Sequence, residues 1–264
     1  MSKLAVEQNA RMDMLVLISG ILIGFTLGLM GAGGAILTVP VMMYAAGMEE
    51  RQAIASALFI VATISATLSI RNLLNKAINW QLIGWFGLPG IVGAYLGAVA
   101  GNMVSTSVQM TVFALLMAVA ATRMLWESAQ SAPNEKTSIA AGTLFFVGML
   151  TGLMTGFVGV GGGFLIVPAL TLLAGISMTS AIATSLAVIT LNASVGFYQY
   201  LHVFSQQGIE LAWKTLVAVA AIGVLGSLIG NVLGRRLPQK HIKKIFAVFL
   251  LGLSFFTVIE QVGG

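Results

Sequence analysis

The sequence contains no cysteine among its 264 residues, so disulfide bonds and thiolate metal sites are excluded. Charged residues are also scarce, at 8% of the chain, whereas an ordinary soluble domain carries about 25%. So few charges cannot wet a protein surface, and hydrophobic residues make up 58% of the sequence. The composition therefore indicates that lipid surrounds most of this protein.

Carboxylates are missing from the interior of the apolar segments. The acidic residues lie in the N-terminal tail, in loops or at segment ends, at Glu7, Asp13, Glu49, Glu50, Glu127, Glu135, Glu210 and Glu260. A transporter of cations normally needs a buried carboxylate to hold charge or a proton. The pattern therefore favours an anionic or a neutral substrate.

Enzyme signatures are absent as well. The sequence has no zinc-binding His pair, no nucleophile elbow and no dinucleotide loop in a βαβ context, so we expect no enzymatic activity, no metal and no cofactor. The net charge of +5 fits basic cytoplasmic loops better than a nucleic-acid interface.

Long apolar segments fill the chain, and about 20 apolar residues suffice to cross a bilayer as a helix. The segments lie near residues 13–46, 53–72, 81–101, 106–127, 139–174, 180–200, 212–234 and 241–260. We therefore predict an all-α, polytopic transmembrane protein of the cell inner membrane.

The two halves of the sequence are repeats of each other. A shift of 128 positions superposes Gly24 on Gly152, Gly28 on Gly156, Gly31 on Gly159, Gly33 on Gly161, Gly34 on Gly162 and Pro40 on Pro168. A shift of 133 positions later pairs Trp80 with Trp213, Gly97 with Gly230 and Phe113 with Phe246. The predicted organisation is a first repeat over 1–127, a linker over 128–138 and a second repeat over 139–264.

The first segment of each half is too long for one span, because 34 residues of helix (13–46) would reach about 50 Å against a hydrocarbon core of about 30 Å. Each is interrupted by a glycine cluster, Gly31, Gly33 and Gly34 in the first half and Gly159, Gly161, Gly162 and Gly163 in the second. Pro40 and Pro168 follow and are expected to start or kink the next helix. Paired broken segments of this kind indicate a transporter binding site.

The distribution of basic residues predicts that the repeats are inverted. Loop 101–106 carries no charge, whereas the matching loop 235–244 holds five basic residues. If each broken segment enters and leaves on one side, most Lys and Arg residues of the loops face the cytoplasm, as the positive-inside rule requires. Both termini then lie outside.

A binding site for an oxyanion is expected at the glycine breaks. Helices that begin after a break direct unpaired N–H groups at the gap, and the two breaks are expected to meet near the middle of the membrane. The side chains expected to complete this site are Ser56, Thr184, Ser185 and Asn192. The other spaced glycines, such as Gly24, Gly28, Gly93, Gly97, Gly226 and Gly230, are interpreted as helix-packing positions.

Tyr198 and Tyr200, followed by His202, close a predicted span. We interpret this group as part of an interfacial aromatic belt.

The repeated pattern also resembles a known family. In the second half it runs from Gly159 to Pro168 as GVGGGFLIVP and then from Ala181 to Leu186 as AIATSL. In the first half it runs from Gly31 to Pro40 as GAGGAILTVP and then from Ala53 to Leu58 as AIASAL. Over nearly the whole chain this resembles the TauE/SafE group of membrane proteins, often called sulfite exporters. The first half departs from this pattern at Ala35, which stands where the second half has Gly163, and at Ala57, which stands where it has Ser185. The part of a binding site that the first half contributes is therefore expected to be less open.

This resemblance implies export of a small anion, sulfite or an organosulfonate, by alternating access between the repeats. An anion channel and a transporter of an unrelated small neutral or anionic metabolite are the alternatives. The expected partners are the anionic substrate, the lipid bilayer and a second copy in a homodimer.

Overall fold

The computed structural model of the chain describes residues 3–31, 33–127, 141–158, 163–173, 176–234 and 236–263. It is 89% helical, with no strand among those residues, which confirms the all-α fold. The helices are α1 (Lys3–Met30), α2 (Gly33–Tyr44), α3 (Glu50–Leu74), α4 (Trp80–Leu82), α5 (Leu88–Asn102), α6 (Thr106–Glu127), α7 (Ala141–Val158), α8 (Gly163–Pro168), α9 (Met178–Gln207), α10 (Trp213–Gly234) and α11 (Gln239–Gly263). Two π-helical turns, Ile83–Gly87 and Ala169–Leu173, follow α4 and α8. The predicted linker over 128–138 lies outside the described residues.

Five helical stretches of the described residues are long and apolar enough to cross a membrane. They are Glu50–Leu74, Trp80–Asn102, Ala141–Val158, Thr179–Gln207 and Trp213–Gly234. Large apolar side chains cover their outer faces, among them Leu74, Phe146 and Leu225, each more than half exposed. Such faces are stable against lipid and not against water. The multi-pass architecture is therefore confirmed.

The first broken segment is a helical hairpin. Gly31 ends α1 with a φ of 72°, a left-handed conformation that favours glycine, while its N–H donates to the Leu27 carbonyl at 2.7 Å. After the turn, Gly34 packs so closely on α1 that a Cβ there would overlap the Ile23 carbonyl oxygen. Residues 11 apart would be separated by about 16 Å in a continuous helix, so α2 folds back along α1.

The two prolines lie within or at the end of the helices that follow the glycine breaks. Pro40 lies inside α2, which already begins at Gly33. Pro168 is the last residue of α8, which begins at Gly163, and a π-helical turn follows it directly. Neither proline starts its helix; in the first half the chain reverses earlier, at Gly31, and Pro40 removes only a backbone donor further along.

Two equivalent helix pairs, α1 with α10 and α7 with α5, join the two halves, and glycines line both contacts. Gly24 and Gly28 of α1 lie against the backbone of Gly223 and Ser227 in α10. The equivalent glycines of α7, Gly152 and Gly156, lie in the same way against Gly90 and Ala94 of α5. In both pairs the two helices run in the same direction, and a Cβ on the glycines of α1 or α7 would overlap a carbonyl oxygen. These glycines therefore serve close helix packing, as predicted.

The equivalent helices α3 and α9 cross each other at the centre and run antiparallel. Leu58 near the start of α3 packs on Gly196 late in α9. Further along α3, the Thr190 hydroxyl of α9 lies 3.0 Å from the Ser65 hydroxyl. Both helices begin at matching positions, but α9 has 30 residues and α3 has 25. The halves thus meet along antiparallel copies of one element.

Candidate functional site

The helices that precede the two glycine breaks, α1 and α7, end at different places along α9, and residues 159–162 of the second break lie outside the described residues. Gly31 packs against Ile182, early in α9. The other first helix, α7, ends near Gly101, beside which the Phe157 carbonyl and the Tyr200 hydroxyl lie. Ile182 and Tyr200 are about 27 Å apart along α9. The ends of α1 and α7 therefore lie far apart, whereas helices α2 and α8 contact each other.

Of the predicted glycines, the structure assigns local roles to those of the first break. Gly31 forms the left-handed turn, Gly33 begins α2 and Gly34 allows α2 to contact α1. Gly163 begins α8. Gly159, Gly161 and Gly162 lie outside the described residues.

The three predicted hydroxyl residues are buried and already have partners within the protein. Ser56 Oγ lies 3.4 Å from the Met48 sulfur, and Ser185 Oγ donates to the Ile182 carbonyl at 2.9 Å. Thr184 Oγ1 accepts the Asn79 N–H at 3.1 Å, next to the start of α4. These contacts stabilise helix ends and turns, and they do not bring the three hydroxyls to one place.

Asn192 is different, because its side-chain amide has no hydrogen-bond partner among the described residues. The residue lies at the middle of α9 and is 1% exposed, and both Oδ1 and Nδ2 are buried. An unsatisfied buried polar group costs about 1–3 kcal/mol. A leucine or isoleucine at this position would avoid that cost, so the amide requires an explanation beyond packing.

The surroundings of Asn192 come from both halves of the chain. Its amide faces Gly90 of α5: a Cβ at Gly90 would lie 3.3 Å from Nδ2 and 3.5 Å from Oδ1. The same position is 3.3 Å from the Gly148 carbonyl of α7. Gly148 and Asn192 lie near the middle of α7 and α9, and Gly90 lies near the middle of the continuous helical stretch Trp80–Asn102. Because Gly90 and Gly148 have no side chains, the Asn192 amide faces backbone midway along these membrane-spanning stretches.

A π-helical turn adjoins this junction. Ile83–Gly87 lies directly before α5; within it, Gly87 faces Val188 of α9 and the Phe86 carbonyl lies against Gly148. Single π-helical turns are common at functional sites. Asn192, α5 and α7 therefore form the strongest candidate for a ligand site in the described part of the chain.

The buried polar side chains around the candidate site carry no charge. Every buried polar side chain in the described part of the chain is neutral, and Glu49, Glu50 and Glu210 are exposed at helix ends or in loops. Among the described residues no group of three His, Asp or Glu side chains could hold a metal ion. The hydrogen-bonding groups that the described structure places at Asn192 are therefore neutral.

One prediction needs correction at the end of α9. Tyr198 is 65% exposed, as an aromatic belt requires, but Tyr200 is 1% exposed. The two tyrosines are two residues apart, so they point to opposite sides of a helix. That spacing is a signal that could have distinguished a lipid-facing tyrosine from a buried one.

Comparisons with known proteins agree with this architecture. The family model described as Sulfite exporter TauE/SafE matches residues 16–257. A "Probable membrane transporter protein" of Xylella fastidiosa is 29% identical over 249 residues, covering 91% of this chain and 92% of the relative. A "Probable membrane transporter protein" of Methanocaldococcus jannaschii is 26% identical, covering 89% and 90% of the two chains. No solved structure matches the chain.

Proposed function

The chain belongs to the sulfite exporter TauE/SafE family and is a membrane transporter, and from this we propose that it exports a small anion across the cell inner membrane. The proposed substrate is sulfite or an organosulfonate, and the proposed mechanism is alternating access between the two repeats.

The observation that carries the proposal is the unsatisfied amide of Asn192 at the middle of α9. Its Nδ2 group supplies two N–H donors, which match the acceptor oxygens of a sulfite or sulfonate group. Among the described residues no buried polar side chain is a carboxylate, which supports an anion, because no fixed negative charge there repels it. Substrate sites of duplicated transporters lie near the bilayer midplane, and the position of Asn192 midway along a helix long enough to span the membrane supports such a site.

Alternating access is supported by the directions of the helices. Equivalent helices α3 and α9 run antiparallel, which is the arrangement that inverted repeats require. In the first half, a hairpin followed by the spans of α3, α4–α5 and α6 would carry the chain to the opposite side of the membrane. The second half would then begin from that side, and tilting one repeat against the other would open the Asn192 site to each side in turn.

The test is transport by the purified protein in liposomes. We would measure the flux of radiolabelled sulfite, with taurine, sulfoacetate and sulfate as competitors and empty liposomes as the control. Saturable flux that a competitor suppresses supports the proposed transporter. Flux that rises linearly without saturation would support the channel instead, and no flux of any of these anions under either direction of pH gradient would refute the anion assignment.

A further inference from the structure

A second group of polar side chains lies about 12 Å from Asn192 along α9, around Tyr200. Tyr200 is 1% exposed and its hydroxyl oxygen has no hydrogen-bond partner among the described residues. The Gln109 side chain of α6 lies beside the same glycine, Gly101, as this hydroxyl. A phenylalanine would fill the same volume without burying an unsatisfied hydroxyl, so packing does not explain the oxygen.

Glycine makes this group possible, as it does at Asn192. A Cβ at Gly101, near the end of α5, would lie 2.5 Å from Gln109 Nε2 and 3.3 Å from the Tyr200 hydroxyl. Gln109 donates one amide N–H to the Phe157 carbonyl of α7 at 2.7 Å, and the amide carries a second N–H. Two donor groups from different helices thus converge beside a residue without a side chain.

Arg51 supplies a positive charge at the same end of the protein. Its Nη2 donates to the carbonyl of Asn102 at 3.3 Å, and Asn102 directly follows Gly101, which faces the Tyr200 hydroxyl. Arg51 is exposed, and no carboxylate pairs with it among the described residues. The groups here that can donate a hydrogen bond to a ligand are the Tyr200 hydroxyl, the second Gln109 amide N–H and the Arg51 guanidinium.

We propose that Tyr200, Gln109 and Arg51 form a second binding site for the transported oxyanion, an access site between the membrane surface and Asn192. The assignment rests on the proposed anion transport and adds a residue-level path to it. Tyr200 and Gln109 replace part of the anion's hydration between Asn192 and the membrane surface, and Arg51 attracts the anion at that surface. Both sites face α5, at Gly101 and at Gly90, so one helix surface lines the path.

The decisive variant is Tyr200→Phe, which removes only the hydroxyl. The matched control is Tyr198→Phe, because Tyr198 is on the same helix and 65% exposed. Sulfite is the probe, and two quantities are measured: the sulfite concentration for half-maximal flux in liposomes, and sulfite binding to the solubilised protein by calorimetric titration. We expect Tyr200→Phe to raise the half-saturating concentration about ten- to a hundredfold, as for the loss of a hydrogen bond to a charged ligand, and Tyr198→Phe to leave it unchanged.

A second pair of variants tests the charge. Arg51→Gln should raise the half-saturating concentration about two- to fivefold at low salt, with less effect at high salt, since exposed charges are screened. Arg123→Gln, at an exposed position near the end of α6, is the control and should have no such effect. This pair does not depend on how well the Tyr200 variant folds.

The outcomes separate this inference from the proposed function. If the native protein transports sulfite and both Tyr200→Phe and Arg51→Gln match their controls, the access site is wrong and anion transport stands. If sulfite binds without being transported and Tyr200→Phe weakens the binding, the site is supported and the transport proposal fails. If the native protein neither binds nor transports sulfite, both are overturned.

Discussion

Two contacts at the centre of the molecule join equivalent positions of the two halves. In each, a helical glycine faces a residue of another helix, but the facing side chains differ in chemistry. In one, Gly223 of α10 faces Ile64 of α3, and a Cβ at Gly223 would lie 2.5 Å from the Ile64 Cδ1 atom. In the other, Gly90 of α5 faces Asn192 of α9. The first contact is closed by an apolar side chain, and the second contains an amide without a partner. Duplication thus provided the scaffold, and one side-chain difference separates a packing position from a candidate binding position.

The largest effect, a loss of folded protein, is expected from substitutions at glycines that both halves have at equivalent positions. Gly24→Ala and Gly152→Ala should each prevent assembly of folded protein, because a Cβ at either site would overlap a carbonyl oxygen of the facing helix, that of Gly223 or Gly90. The measurement is the yield of monodisperse protein in detergent, with Gly142→Ala as control because nothing lies within 4 Å of a Cβ there. A normal yield for one of the two variants would show that the α1–α10 and α5–α7 contacts do not contribute equally to assembly.

The next largest effect, a loss of transport, is expected at the position where the halves differ, Asn192 in the second half and Ile64 in the first. Asn192→Ile places in the second half the residue type that the first half has at Ile64. Sulfite flux should fall about ten- to a hundredfold, while the melting temperature stays equal or rises, because an unsatisfied polar group is removed. Ile64→Val is the control for a small change at the mirrored position and should retain flux. Native flux in Asn192→Ile would remove Asn192 from the site.

A smaller effect is expected from the facing glycines. Gly90→Ala places a methyl group about 3.3 Å from the Asn192 amide, so the half-saturating sulfite concentration should rise about three- to tenfold. Gly223→Ala presses on the flexible end of Ile64, so it should lower the melting temperature without a change in half-saturation. An equal effect of both variants on transport would contradict the division between a packing contact and a binding contact.

The smallest effect distinguishes the two equivalent hydroxyls, Ser56 and Thr184. Thr184→Val removes the acceptor of the Asn79 N–H and should reduce the free energy of unfolding by about 1 kcal/mol. Ser56→Ala loses only a weak contact to the Met48 sulfur and should change it by less than about 0.5 kcal/mol. Denaturant titration of both purified variants provides the comparison, and a larger loss for Ser56→Ala would reverse it.

The sequence predicts the transmembrane helices well, because the surrounding lipid determines which backbone structures are stable. Lipid requires helices of a certain length, and two glycine clusters in one register show where the first segments are interrupted. The direction of the chain after the break was harder to predict. It depends on the left-handed turn at Gly31 and on the contact of Gly34 with Ile23, and a glycine run alone is compatible with either a kink or a reversal.

The candidate site is only partly accessible from the sequence. Asn192 could be selected because a lone amide in an apolar segment is unusual, but its isolation depends on Gly90 and Gly148, which come from distant parts of the chain. Ser185 has a local partner, the Ile182 carbonyl, because serine in a helix often bonds to its own backbone. Whether a polar side chain is satisfied by its neighbours is a property of the packed helices and is not encoded in spacing.

The greater length of α9 has a practical consequence. Its five additional residues, 30 against 25 in α3, extend the helix by about 7.5 Å, and the last of them, Gln207, is exposed. Since the chain contains no cysteine, Gln207→Cys introduces a single thiol into a background that needs no further engineering. A membrane-impermeant maleimide added to intact cells would label that thiol only if this end of α9 faces outward, and such labelling would fix the orientation of the whole molecule from one residue.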